Sequence, residues 1–323
     1  MHKSKCPACG SAQTVKNGKR KGVQTYKCHA CGYQFRNSTM PSNDEIWSLY
    51  MEGKQTISEL SHRFGVSEST IKRRLKDISK SWEQPTIEGC SGYVHMDATY
   101  WGRSWGVLLA LDEHSGFPLY LAFIENETAS DYEKAIRSIE ERGYTIFGII
   151  IDGKKSLFTL FSDYQIQMCQ FHMKQIIRRY LTQNPRLKAA RELKGLLDTL
   201  TVFSGRDFKT NYAQWKEKWK DTLAKRSLLK CGKKSYTHKR LRSAMHSLDF
   251  YMPYLFTFQQ ESCEGMPNTN NKIEGTFTNL KKRLNVHSGM TEMSCKRLIC
   301  GFFLALAATH GIRKQDPSSE ESC

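Results

Sequence analysis

Two acidic residues stand where an acid is costly unless it is used. Asp97 follows Val94-His95-Met96, and Asp152 closes the fully apolar run 146–151, the pattern of a buried central strand. Burial disfavours the charged form of a carboxylate, so an acid at such a strand end needs a compensating partner. Were the two strands neighbours, the carboxylates would meet, and paired carboxylates hold hard divalent cations such as Mg²⁺. Two such ions can activate an attacking oxygen and stabilise the leaving oxygen of a phosphodiester. Glu274, at a predicted helix start in Asn271-Lys272-Ile273-Glu274, is the candidate third carboxylate. It precedes the basic run Lys281, Lys282 and Arg283, read as DNA contacts. Asp112 reads as a hairpin-turn residue and Asp163 as a surface helix residue, while Glu261 and Glu264 are rival third acids.

A second chemistry lies at the start of the chain. Cys6-Pro7-Ala8-Cys9 and Cys28-His29-Ala30-Cys31 are two Cys-x-x-Cys pairs with 18 residues between them. Each offers two thiolates from one tight turn, which together meet the tetrahedral demand of a structural Zn²⁺. A segment this short has little core, so metal binding would supply most of its folding energy, on the order of 10 kcal/mol. Lys16, Lys19, Arg20 and Lys21, with Tyr26, Tyr33 and Phe35 nearby, favour phosphate contact by this zinc ribbon.

The elements that must position these groups follow from periodicity. Ser42-Asn43-Asp44-Glu45 is a capping start for a first helix carrying Ile46, Leu49 and Tyr50. Ile57, Leu60 and Phe64 mark a second, ended by Gly65, and Glu68–Leu75 a third rich in Ser, Thr, Lys and Arg. This is a helix-turn-helix pattern, with Ser67, Ser69, Thr70, Lys72 and Arg73 toward DNA, and Ile71 and Leu75 toward the core. Strands are expected at Tyr93–Tyr100, Trp105–Leu111, Pro118–Ile124, Ile146–Ile151 and near Ile166–Cys169, with a helix over Ser130–Arg142. Three meandering strands followed by alternating helix and strand imply an α/β mixed sheet with helices on both faces. The 101 residues between His172 and Glu274 exceed what a strand-to-helix connection needs and have a helical composition. Within them Trp215 and Trp219 read as helical core.

The whole chain is basic: 323 residues with 49 Lys+Arg against 32 Asp+Glu give a formal charge of +17, which points to a polyanion partner. The excess is uneven, since residues 1–43 contain eight Lys/Arg and no acid, and 184–245 contain 17 against 5. No run of about 18 apolar residues occurs and the start lacks an apolar signal core, so a soluble, cytoplasmic and nucleoid-associated protein is expected.

Taken in order, Asp97, Asp152-Gly153, Cys169-Gln170-Phe171-His172 and Glu274 resemble the DDE transposases with an RNase H-like catalytic domain, in particular the Mutator-like group and its bacterial insertion-sequence relatives. A Cys/Asp-x-x-His step and an Asn-x-x-Glu form of the last acid are features of that group. The resemblance implies that Asp97, Asp152 and Glu274 form a triad holding two Mg²⁺, for which Mn²⁺ would substitute, and that Cys169 and His172 lie near the site. Zinc on that pair lacks a second pair of ligands, and a structural or hydrogen-bonding role fits better. The resemblance further implies cutting at the ends of an insertion sequence and strand transfer into target DNA. Its partners would be double-stranded terminal inverted repeats and target, met by a homodimer or larger synaptic assembly. The expected organisation is a zinc ribbon (1–40), a helix-turn-helix (41–85), an RNase H-like domain (90–180 and 266–312), an all-helical insertion (181–265) and a tail (313–323). The rivals are a catalytically silent DNA-binding regulator derived from a transposase, and a structure-specific nuclease.

Overall fold

The computed structural model describes residues 5–20, 23–36, 41–77, 81–102, 104–228, 232–287 and 289–311. Lys21 and the expected tail at 313–323 lie outside them. The chain divides into two compact units, residues 1–79 with 283–294, and residues 80–282 with 295–323.

In the first unit β1 (Thr14–Arg20), β2 (Val23–Cys28) and β3 (Gln34–Arg36) form an antiparallel sheet in that order. Each cysteine knuckle closes with a glycine N–H on the first cysteine's carbonyl, Gly10 to Cys6 at 2.8 Å and Gly32 to Cys28 at 2.9 Å. Both glycines have φ above +70°, a conformation any side chain would strain. Three helices follow: α1 (Asn43–Met51), α2 (Ile57–Phe64) and α3 (Glu68–Asp77). Ser42 caps α1, Thr56 and Glu59 form a reciprocal capping box on α2, and left-handed Gly65 ends it. Ile46, Leu60 and Ile71, one from each helix, are fully buried and make the hub of the trihelical core. Burial of each stabilises by roughly 1.5–3 kcal/mol.

The second unit is built on a five-stranded sheet. Its strands are β4 (Ser91–Trp101), β5 (Trp105–Asp112), β6 (Pro118–Ile124), β7 (Thr145–Ile151) and β8 (Ile166–Met168), with α4 (Ala129–Glu141) and α5 (Lys155–Leu160) in the connections. The order is β6-β5-β4-β7-β8, antiparallel among the first three and parallel from β4 to β7 to β8. Every residue of β5 is buried, which requires cover on both faces. On one face Val94, Met96, Leu108, Ala110, Ile149 and Ile151 join Tyr132, Ile136 and Ile139 of α4 in the main core. On the other, Ile150 packs with Cys263 and Met266. A meander of three strands leading through helices into two parallel ones is the RNase H-like arrangement, and the expected mixed α/β class holds.

Beyond β8 come α6 (Gln170–Leu181), α7 (Lys188–Asp198), α8 (Gly205–Lys218), α9 (Lys220–Ala224), a hairpin of β9 (Arg226–Leu228) and β10 (Lys234–Tyr236), α10 (Lys239–Tyr251), α11 (Asn271–Val286) and α12 (Glu292–Thr309). Trp215 and Trp219 are helix-packing residues, their indole N–H groups donating to the Ala189 carbonyl and the Glu192 carboxylate at 3.0 and 2.7 Å. The insertion is helical apart from its hairpin. There Arg226 and Arg242 lie over the Tyr236 ring, at 4.6 and 3.6 Å, in a pair of strands too short to show any periodicity. Among the described residues, no helix is long and apolar enough to cross a membrane.

Candidate active site

The parallel register of β4 and β7 sets His95 opposite Ile150. Two residues further along stand Asp97, within β4 and opposite Leu109 of β5, and Asp152, one residue past the end of β7. Burial, and next the Asp152 carboxylate, push Asp97 well above the usual carboxylate range, with Glu127 and Glu274 adding to the push. Burial also raises Asp152; the His172 imidazole pulls it down, Glu127 pushes it up, and Lys154 pulls it down again.

Glu274 sits in the first turn of α11 and His172 in the first turn of α6. His172 Nδ1 lies 3.4 Å from Glu274 Oε1, yet neither buried atom has a hydrogen-bond partner among the described residues. Cys169, His172 and Glu274 bring one ligand atom each within 4.8 Å of one another. The sulfur is already engaged: Cys169 Sγ accepts the Asn270 backbone N–H at 3.2 Å, and burial pushes the thiol up to about 11. Asp97 and Asp152 do not belong to this convergent group, so among the described residues Glu274 meets Cys169 and His172 more closely than it meets the two aspartates. Two crowded carboxylates with raised pKa, facing two orphaned polar atoms, are what a bound divalent cation would relieve.

Two residues that sequence reasoning passed over complete the site. Glu127 stands three residues past the end of β6, at the edge where β4 and β7 also end. It accepts from the Tyr132 hydroxyl at 3.0 Å and pairs with Lys154 at 3.3 Å. Asn270 is fully buried and ties three elements together. Its side chain donates to the Met96 carbonyl at 3.1 Å and meets His95 Nδ1 at 2.6 Å; its N–H reaches Cys169, and its carbonyl accepts from Glu274 N at 3.1 Å. His95 in turn meets Glu113, which Lys272 pairs at 3.4 Å. Asn271, the asparagine of the Asn-x-x-Glu pattern, is exposed. Asp112 is the turn residue it was read as, accepting from Ser115 N, Ser115 Oγ and Tyr144 OH, each at 2.6 Å.

The metal-like cysteines converge as well. Cys6 and Cys31 Sγ lie 3.6 Å apart, as do Cys9 and Cys28. Zn–S bonds near 2.3 Å give tetrahedral edges of about 3.8 Å, so the cluster fits zinc. Of the residues read as DNA contacts, Lys16, Lys19, Arg20, Ser69, Lys72, Arg73, Lys281 and Lys282 are exposed, and Lys72 pairs with Glu68 at 3.5 Å. The Ser69 and Thr70 hydroxyls bond Ser67 Oγ, both at 3.0 Å, at the start of α3. Arg283 is half-buried and donates to the Met51 carbonyl at 2.9 Å.

No family model and no curated protein matches the chain. Among solved structures it is similar to the Drosophila P element transposase strand transfer complex, at 12% identity over 83% of this chain and 93% of that one, with a TM-score of 0.39. It is also similar to a simian T-cell lymphotropic virus intasome bound to the PP2A regulatory subunit B56 gamma, at 13% identity over 49% and 69%, with a TM-score of 0.21. Both likenesses are remote.

Proposed function

We propose that the protein is a DNA transposase of the DDE type that cuts the ends of an insertion sequence and joins their 3′-OH groups to target DNA. The observation that carries this reading is the register that aligns Asp97 with Asp152 on adjacent parallel strands, beside Glu274. Asp97, Asp152 and Glu274 would hold two Mg²⁺, with Mn²⁺ able to replace them. When bound, such ions activate an attacking oxygen and stabilise a leaving one in line across a phosphodiester. Asp97 and Asp152 are held by their strands, so little reorganisation accompanies binding. Asn270 fixes the start of α11 against β4 and against Cys169, and so sets Glu274 relative to Asp97. Lys154, kept by Glu127, supplies a positive charge at the mouth of the site.

Residues 1–40, as a zinc ribbon, and 41–85, as a helix-turn-helix, would read the element ends, with Lys16, Lys19, Arg20, Lys21, Lys72 and Arg73 on phosphates and Ser69 and Thr70 toward bases. Lys281 and Lys282 would add phosphate contacts along α11, while Arg283 is held by the Met51 carbonyl. Pairing two ends calls for a homodimer or larger assembly. The test is cleavage of DNA carrying the gene's own flanks with Mg²⁺ or Mn²⁺, comparing wild type with Asp97→Asn, Asp152→Asn and Glu274→Gln. Cutting by wild type alone, with DNA binding kept by all four, supports the reading. Binding without cutting by any of them leaves a silent regulator, and equal cutting by all four removes the triad.

A further inference from the structure

The Cys-x-x-His step acquires a third ligand in the fold. Cys169 stands at the cap of α6, His172 lies in its first turn, and Glu274 lies in the first turn of α11. Side-chain and backbone bonds tie the two helix starts together. Gln170 N donates to the Asn268 carbonyl at 3.0 Å, and Asn268 Nδ2 donates to Gln170 Oε1, also at 3.0 Å. Cys169, His172 and Glu274 each bring a ligand atom within 4.8 Å of the other two. His172 Nδ1 and Glu274 Oε1 stand 3.4 Å apart, both buried and both without a hydrogen-bond partner among the described residues. Zn–N and Zn–O bonds near 2.1 Å give a tetrahedral edge of about 3.4 Å, which matches that separation. With a Zn–S bond near 2.3 Å the edge to sulfur is about 3.6 Å, so Cys169 Sγ has to close by at most about 1.2 Å.

The surroundings of the sulfur favour its charged form. Burial raises the Cys169 thiol, while hydrogen bonds from the backbone N–H groups of His172, Asn270 and Phe171 pull it the other way. Such bonds stabilise a thiolate and leave lone pairs free for a metal, which itself deprotonates a coordinating thiol. Thiolate, imidazole and carboxylate together are donors for a borderline-soft ion such as Zn²⁺, whereas Mg²⁺ takes oxygen. Asp97 and Asp152 stand outside this group. We propose that Cys169, His172 and Glu274 form a second divalent-metal site, for Zn²⁺ or a transition ion of similar softness, that acts as a brake. The brake rests on the transposase reading above and works by competition for one carboxylate. Glu274 cannot serve both the Cys169–His172 pair and the two aspartates, so a chain with zinc here lacks the third ligand for Mg²⁺. Binding releases the thiol proton to solvent, and loss of zinc returns Glu274 to the aspartates.

The test counts zinc on the full chain, whose four ribbon cysteines fit one ion of their own. After dialysis against micromolar Zn²⁺, atomic emission should find two ions per chain in wild type and in Asp97→Asn, and one in Cys169→Ser and in His172→Ala. Loss of a direct ligand should weaken the second ion at least about a hundredfold. His172 is half-buried, so its variant keeps the result readable should the fully buried Cys169 position not tolerate a change. Co²⁺ added to protein loaded at the ribbon should give a thiolate charge-transfer band that Cys169→Ser lacks and that millimolar Mg²⁺ leaves in place. One zinc in wild type, two in both ligand variants, or a band removed by Mg²⁺ or by Asp97→Asn overturns the proposal. Cutting supplies a separate readout. Zinc at tenfold over its dissociation constant should slow Mg²⁺-dependent cutting by wild type about tenfold, and should leave Cys169→Ser within about twofold of its own zinc-free rate. A second zinc that leaves cutting unslowed refutes the brake. If wild type cuts no DNA but its second zinc still depends on Cys169 and His172, the metal site stands and the transposase reading falls; cutting without a second zinc gives the reverse.

Discussion

Asp97→Asn should make the metal-free protein more stable while abolishing cleavage. Adjacent parallel strands lie about 4.8 Å apart, so register-matched carboxylates repel by about 3 kcal/mol at an effective dielectric of 20. A proton taken up by the crowded pair caps that cost, which leaves a gain of about 1–3 kcal/mol on removing one charge and a rise in melting temperature of roughly 3–10 °C. A divalent cation acts on the same repulsion from the other side. At a hundredfold excess over its dissociation constant it should stabilise wild type by about 2.7 kcal/mol and the variant far less. Thermal unfolding of both proteins with EDTA, then with Mg²⁺ or Mn²⁺, reads all four states. A metal-free variant that melts lower than wild type, or that gains as much from Mn²⁺, would refute the claim that Asp97 and Asp152 crowd each other around a cation site.

Other consequences are open to direct measurement. Asp97 and Asp152 have native pKa values raised above the ordinary carboxylate range, so the folded state holds more protons than the unfolded one between those values, and metal-free stability should fall as pH rises through that window. Denaturant melts from pH 4 to 8 should show this slope in wild type and a flatter one in Asp97→Asn. Asn270→Ala strips partners from His95 and the Met96 carbonyl, at a cost of roughly 2–4 kcal/mol, and should slow cleavage at least about tenfold with duplex affinity unchanged. Asn271→Ala, at an exposed position, should leave the rate within about twofold, and a reversed ranking in a single-turnover assay would contradict the assignment. Cys28→Ser should eliminate bound zinc, measured by atomic emission, and with it binding to element ends, because the ribbon's folding depends on the ion.

The five-stranded sheet was largely legible because its strands are apolar, short and bounded by turns. Pro118–Ile124 stands as expected, and Ile146–Ile151 differs from β7 by one residue. Asp97 and Asp152 were visible for a physical reason: an acid ending a run such as Ile149-Ile150-Ile151 contradicts its surroundings. Glu127 was not, because it lies in a polar stretch after β6, and only the sheet order shows that this stretch reaches the edge shared by β4 and β7. Asn270 was hidden by its neighbour. Two asparagines precede Lys272, and the Asn-x-x-Glu pattern favoured Asn271, whereas three of the four bonds of the buried Asn270 come from two segments distant in the chain, His95-Met96 and Cys169. The basic run at 281–283 read as one surface, but Arg283 turns to the Met51 carbonyl, a partner 232 residues away that no local pattern reveals.

The most direct test of the catalytic claim bypasses both end recognition and first-strand cutting. A pre-cut end bearing a free 3′-OH, made from the gene's flank, is incubated with a supercoiled plasmid, Mg²⁺ and either wild type or Glu274→Gln, and joined products are counted by sequencing. Joining by wild type, absent with EDTA and absent in the variant, is the predicted result. No joining by wild type in Mg²⁺ or Mn²⁺, or equal joining by the variant, would contradict the claim that Asp97, Asp152 and Glu274 transfer DNA strands.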